Sequence, residues 1–254
     1  MSTNNPKNNK ITTALLMAAG MGTRLRPLSE KVPKPLTPVK GIPMIETLIQ
    51  AIKKAGIEEI YITVGYKKEK YDYLKEKYSN ITLIENKEYT YKSTISSVYA
   101  AIPYIINKNV LICESDFYVA DYSIIKGTID KSRYFLRNVA PQNYEWGFEI
   151  EDDNIRKVLP PAPNVFLDHH LYGMAYWMKE DLNKLIDAIN KAYLIEGHEQ
   201  KSYDEIANEI LNQIDMGYIR VNSGQIFEID SLEDLVKVDA SYRIYMDKNY
   251  SNDL

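Results

Sequence analysis

"LMAAGMGTRLRPLSEKVPKPLTPVKGIPMIE", Leu16 to Glu46, holds a small-residue turn, two arginines and a lysine set between prolines. The apolar run that enters it, TTALLMAAG, stops at Gly20 and reads as a buried strand feeding a tight turn. The segment that leaves it, PMIETLIQAIKKAG, has proline near its start, glycine at its end, and apolar side chains at Ile45, Leu48, Ile49 and Ile52. That spacing predicts an amphipathic helix. Further along, EEIYITVGY, ITLIEN and NVLICESD read as strands, and KKEKYDYLKEKY and TISSVYAAIPYI as the helices between them. Such alternation requires parallel crossovers, so the expected fold is α/β: a Rossmann-like open, mostly parallel mixed sheet with helices on both faces.

After Asp116 the pattern loosens. YEWGFEIEDDNIRKVLP reads as a hairpin turning at EDDN, KEDLNKLIDAINKAY and YDEIANEILNQI as helices, and IFEIDSLEDLVKVDASYR as a last strand, turn and helix. The expected organisation is a flexible tail over 1–10 and a single domain over 11–254. Within that domain the parts are a nucleotide-binding core at about 11–120, a small β-rich insertion at about 121–225, and a closing strand and helix at about 226–246.

The 254 residues are 45% apolar and 26% charged, which excludes a largely disordered chain. A net charge of -4 argues against broad nucleic-acid binding, so any anion site must be local. The single cysteine, Cys113, allows no internal disulfide and, inside an apolar strand, reads as core. The polar opening MSTNNPKNNK lacks the apolar centre of a signal peptide, and no apolar run reaches the ~18 residues of a membrane span. A cytoplasmic protein without membrane insertion is expected. A homo-oligomer is compatible with the chain.

The turn after the first strand lies at the carboxyl edge of a parallel sheet, where open α/β folds bind ligands. Gly20 and Gly22 let successive N–H groups turn toward an anion, Thr23 adds a hydroxyl, Arg24 and Arg26 can fork onto phosphate oxygens, and Lys34 brings a point charge. Prolines at 33, 35 and 38 restrict the lysine loop. Ala18 and Ala19 are small enough for a base to lie against the backbone. A Walker loop or a dinucleotide fingerprint would require a different glycine pattern.

The sequence A-A-G-x-G-T-R-L-x-P followed by P-K-P-L-x-P-V resembles the signature of the nucleotidyltransferases that join a nucleoside triphosphate to a phosphorylated small molecule. The resemblance implies that Gly20, Gly22, Thr23 and Arg24 cradle the triphosphate and that Lys34 contacts the reacting phosphate; Lys34 and Arg24 are the expected catalytic residues. Nucleotidyl transfer needs a divalent cation, Mg2+, held by carboxylates at strand ends. Asp116, where NVLICESD runs out, resembles the metal-binding aspartate of this superfamily, and Asp230 is the expected second ligand, with a helix N-cap as its other reading. Strand alternation is taken to send Glu114 and Glu228 to the opposite side. The chemistry leaves His169, His170 and His198 without a task.

Within the superfamily the layout from about Thr13 to Tyr242 resembles the bacterial CTP:phosphocholine cytidylyltransferases. The E-K-P motif of the sugar-1-phosphate branch is absent from IRKVLPPAPN. Ser93, Thr94 and Ser96 at a helix start are expected at the pyrimidine edge, with capping as the alternative. A quaternary ammonium is recognised by aromatic faces with a carboxylate nearby. The resemblance implies such contacts at Glu145, Trp146, Tyr203 and Asp204, with Tyr172 and Tyr176 as further walls. Pneumococcal-type enzymes have a second tryptophan where this chain has Tyr203. Phosphocholine is the favoured acceptor, and that departure brings phosphoethanolamine, 2-aminoethylphosphonate and phosphoglutamine beside it. The expected activity is therefore Mg-dependent cytidylyl transfer from CTP, serving cell-surface polysaccharide modification. A sugar-1-phosphate thymidylyl- or uridylyltransferase and a non-catalytic nucleotide-binding regulatory subunit are the alternatives.

Overall fold

The computed structural model describes residues 9–142, 145–163 and 166–249. In chain order its principal strands are β1 (Thr13–Ala18), β2 (Glu59–Val64), β3 (Ile81–Glu85), β4 (Val110–Glu114), β5 (Phe117–Val119), β6 (Arg133–Gln142), β7 (Gly147–Glu151), β8 (Asn154–Leu159), β9 (Leu167–Trp177), β10 (Gly217–Arg220) and β11 (Ile226–Glu228). Nine of them form one sheet in which β8, β7, β9, β4, β1, β2 and β3 follow one another, while β6 pairs with β9 and β10. β1 lies parallel to both β2 and β4, and β2 parallel to β3. β9 then runs antiparallel to β4 and to β6, which makes the sheet mixed.

The period of two along β1 explains its full burial. Ala14, Leu16 and Ala18 enter one core cluster, and Leu15 and Met17 enter the other, on the opposite face. Helix α1 (Met44–Lys54) covers the first face with Ile45, Leu48, Ile49 and Ile52, all fully buried. Each such side chain contributes about 1.5–3 kcal/mol before its ordering cost. On the second face lie α3 (Ile95–Ile105) and α4 (Lys179–Ala192), through Val98, Ala101, Leu182 and Ile186. Between α1 and α3 in sequence is the short α2 (Tyr73–Lys77), and three more short helices follow α4: α5 (Tyr203–Asn208), α6 (Leu232–Val238) and α7 (Arg243–Asn249). The doubly covered mixed sheet is the fold read from the sequence.

Several boundaries differ. Residues 1–8 of the expected tail lie outside the described residues, but Lys10 bridges to Thr128 and Ile129 N–H donates to the Asn9 carbonyl, so the body begins at residue 9. The β-rich insertion is continuous with the main sheet, because β9 extends it beyond β4. The hairpin of β7 and β8 turns where EDDN placed it, with Asp152 and Asp153 both in the left-handed region. YDEIANEILNQI is helical only over Tyr203–Asn208, followed by a single turn at Leu211–Gln213.

Candidate active site

The loop after β1 and the end of β4 open together on a cavity of about 300 Å³ lined by Ala18, Ala19, Gly20, Gly22, Thr23, Arg24 and Lys34. Of the two glycines only Gly22 has a left-handed backbone, at φ 59°. A Cβ there would stand 2.6 Å from Lys34 Cβ, whereas one on Gly20 would meet nothing within 4 Å. Gly22 thus lets the loop close onto Lys34.

Lys34 sits in one turn of 3-10 helix between Pro33 and Thr37, and its side chain is 9% exposed. Its ammonium donates to Asp116 Oδ2 at 2.8 Å and to Asp230 Oδ1 at 2.6 Å. Burial by itself would lower the Lys34 pKa, but the two carboxylates outweigh it and hold the pKa above its ordinary value. Arg24 Nη2 donates to the same Asp230 oxygen at 2.8 Å. Arg26 points elsewhere, to Glu30 at 3.8 Å.

Asp230 reaches this point because β11 pairs antiparallel with β5, and Ile229 N–H donates to the Asp116 carbonyl at 3.0 Å. The N-cap of α6 is Ser231, in a capping box with Asp234. The cap reading of Asp230 is thereby excluded, and its carboxylate is left for the site. Asp116 Oδ1 is buried without a hydrogen-bond partner. No group of three or more metal-ligating side chains occurs among the described residues.

Of the hydroxyls expected at the base, Thr94 lines the cavity, and so does Ser97, which the sequence reading missed. One helical turn separates the two, a spacing that signals a shared face. Ser96 is buried away from the cavity, where it donates to the Ser93 carbonyl and accepts from Asn86. Ser93 uses its backbone N–H on the Glu199 carbonyl and does not line the cavity.

The expectation for Glu114 is corrected, while Glu228 lines the neighbouring cavity. Residues two apart on a strand share a side, so Glu114 lines the cavity with Asp116. Burial, then Asp116, Asp204 and Glu228, push its carboxyl pKa well up. Glu228 is pushed up to about 8 by burial and by Asp116 and Asp230, and Asp204 to about 7 by burial. Tyr134 donates to Asp204 Oδ1 at 2.9 Å.

The expected aromatic walls do not assemble. Tyr203 is fully buried in the core, its hydroxyl beside Asp204 without a hydrogen bond of normal geometry. Tyr176 is also core, and accepts from the Lys126 N–H at 2.6 Å. Tyr172 is buried, donates to the Ile226 carbonyl, and carries the Arg137 guanidinium 5.5 Å from its ring centre. It lines a neighbouring cavity of about 400 Å³ with Arg137 and Glu228. Trp146 and Glu145, just before β7, are half-buried, and Trp146 packs against the second core cluster. Cys113 is core, and burial pushes its thiol up. A larger cleft of about 490 Å³ lies at the opposite end of the sheet, where Lys131–Asp215 and Lys184–Asp181 ion pairs occupy its wall.

A nucleotidyl transferase family model matches residues 13–133. The 2-aminoethylphosphonate cytidylyltransferase of Lancefieldella rimae is 37% identical over 235 residues, 92% of this chain and 95% of that protein. The chain belongs to the cytidylyltransferases of the nucleotidyl transferase family. The choline-phosphate cytidylyltransferase of Streptococcus pneumoniae is 31% identical to this cytidylyltransferase, over 89% of this chain and 96% of that one. A solved structure of the pneumococcal CTP:phosphocholine cytidylyltransferase superposes with a TM-score of 0.82 at 29% identity, covering 91% of this chain and 99% of that one. No helix of the cytidylyltransferase, among the described residues, is long and apolar enough to cross a membrane.

Proposed function

We propose that the enzyme transfers CMP from CTP to a small phosphate or phosphonate acceptor that carries a cationic amine, with Mg2+ bound at Asp116 and Asp230. The observation that carries this reading is the Lys34 ammonium held between those two carboxylates at the foot of the Gly22 loop. A cation already stands where two hard oxygen ligands converge, and Asp116 Oδ1 has no other partner. Mg2+ is commonly held by one or two protein carboxylates with the remaining positions filled by water and substrate phosphates, so the pair fits it. When bound, the ion neutralises triphosphate charge and templates in-line displacement.

The chain's own residues supply the rest. The N–H groups around Gly20–Thr23 and the Arg24 guanidinium face the triphosphate, and Lys34 stabilises the charge that develops at the α-phosphorus. An acceptor phosphonate or phosphate oxygen attacks that phosphorus. The bond between the α-phosphorus and the bridging oxygen breaks, and pyrophosphate leaves with the electron pair. The attacking oxygen is already ionised near neutral pH, so no protein base is required. Thr94 and Ser97 face the base, and the carboxyl groups of Glu114, Asp204 and Glu228 face the acceptor's amine. The CDP-linked product is an activated head group of the kind that a later transferase adds to a cell-surface polysaccharide.

The test is pyrophosphate release with each of four nucleoside triphosphates and Mg2+, against 2-aminoethylphosphonate, phosphoethanolamine, phosphocholine, phosphoglutamine and glucose 1-phosphate. Turnover of CTP with an amine acceptor is expected; turnover of dTTP or UTP with glucose 1-phosphate and none of CTP overturns the proposal.

A further inference from the structure

The sheet does something unusual where β4 ends. β9 pairs with β4 from Met174 to Trp177 and with β7 at His170, and Gly173 lies in the interval between. The Glu114 side chain fills that interval. A Cβ on Gly173 would stand 2.6 Å from both Cδ and Oε2 of Glu114. Gly173 is therefore the space that allows the carboxyl to lie against β9.

That carboxyl forms no hydrogen bond or ion pair among the described residues, although it lines the cavity. Asp116, Asp204 and Glu228 are the acidic groups that act on it. The Tyr203 hydroxyl, on a residue with no exposed surface, is close to both Glu114 and Asp204 and has no partner of its own. Lys34 donates its hydrogen bonds to Asp116 and Asp230 and acts on Glu114 only through its charge, and no cation among the described residues donates to this carboxyl. Unpartnered carboxyl and hydroxyl groups in an enclosed place call for a cation with N–H donors.

A quaternary ammonium has no such donors and calls instead for aromatic faces. Here Tyr176 and Tyr203 are sealed in the core, Tyr172 is covered by Arg137, and Trp146 alone stays half-open. The oxygen groups outnumber the free aromatic faces.

We infer that Glu114, seated over Gly173 and backed by Tyr203, binds a primary ammonium on the acceptor and selects it over a trimethylated one. The inference rests on the cytidylyl-transfer reading above and narrows its acceptor to aminoethyl compounds, of which 2-aminoethylphosphonate and phosphoethanolamine share the ammonium and differ only at phosphorus.

The experiment compares kcat/KM for 2-aminoethylphosphonate, phosphoethanolamine and phosphocholine in the wild type, Glu114→Gln, Tyr203→Phe and Gly173→Ala. CTP affinity is measured by calorimetry on each protein. The wild type should favour at least one primary amine over phosphocholine by about 100-fold or more, since a site built for N–H donors rejects an analogue lacking them. Which of the two primary amines leads tells phosphonate from phosphate. Glu114→Gln should raise KM for the primary amine by about tenfold to 100-fold, shrink its advantage over phosphocholine, and leave CTP affinity unchanged. Gly173→Ala should act in the same direction by displacing the carboxyl, and Tyr203→Phe more weakly. Phosphocholine used as well as the primary amines, or equal loss of CTP and acceptor binding in Glu114→Gln, would overturn the assignment. If CTP binds and no amine acceptor turns over, the underlying cytidylyl-transfer proposal fails instead, and the selectivity inference with it.

Discussion

Lys34 Nζ lies 2.6 Å from Asp230 Oδ1, although 196 residues separate them in the chain. With Asp116 at 2.8 Å on the other side, the ammonium lies between the two carboxylates that the proposed Mg2+ would need. If Mg2+ binds there as proposed, metal and lysine would compete for one pair of oxygens.

Replacing Lys34 by Met should therefore have two effects of opposite sense. Turnover falls by about 10²–10³-fold, the scale seen when one donor to transition-state charge is removed. Mn2+ titrated without nucleotide, followed by its EPR signal, binds more tightly than to the wild type, because the competing ammonium has gone. Weaker Mn2+ binding would show that Lys34 organises the carboxylates rather than competing for them.

Gly22 and Gly20 should separate cleanly. Gly22→Ala puts a Cβ at φ 59° and 2.6 Å from Lys34 Cβ, so it should destabilise the fold by about 1–3 kcal/mol and depress kcat. Gly20→Ala meets no atom within 4 Å and should leave urea unfolding nearly unchanged. Equal midpoints for the two variants would refute the steric role of Gly22.

Arg24 is well exposed at 72% of its side chain and shares Asp230 with Lys34. Arg24→Met should raise KM for CTP by about tenfold, typical of a lost charge-assisted hydrogen bond, and the wild-type KM should rise with salt more steeply than the variant's. Steady-state kinetics at two ionic strengths decides it.

Asp204 connects the site to stability. Its folded pKa of about 7 lies above the unfolded value near 4, so the carboxyl contributes nothing adverse below about pH 4 and destabilises the fold increasingly as pH rises toward 7. Asp204→Asn keeps the acceptor for the Tyr134 hydroxyl and should stabilise the unliganded protein at pH 8 by about 2–4 kcal/mol, with no gain at pH 4. Thermal unfolding at the two pH values reads this directly. KM for the amine acceptor should rise in the same variant.

The phosphate loop, Lys34, Asp116 and Asp230 were legible in the sequence because each is tied to its neighbours: a strand end, a proline pair, a strand end again. Their convergence was legible only through a family signature, since nothing local says that residue 230 returns to residue 34. The acceptor side was read less well. Tyr203 and Tyr176 look like walls in a tyrosine-rich chain, yet helix and strand phase turn both into the core. Glu114 lies with Asp116 and not against it, because the period of two puts residues 114 and 116 on one side. Ser97 was passed over for Ser96 because the start of α3 at Ile95, which sets the helical phase, cannot be fixed to one residue from sequence.

The pairing of β11 with β5 also sets when the Lys34 ion-pair cluster can be completed. A ribosome that has completed residue 225 has already made the triphosphate loop, Lys34 and Asp116, but not the strand that carries Asp230. Up to that moment the Lys34 ammonium has only one of the two carboxylates that hold it in the folded protein.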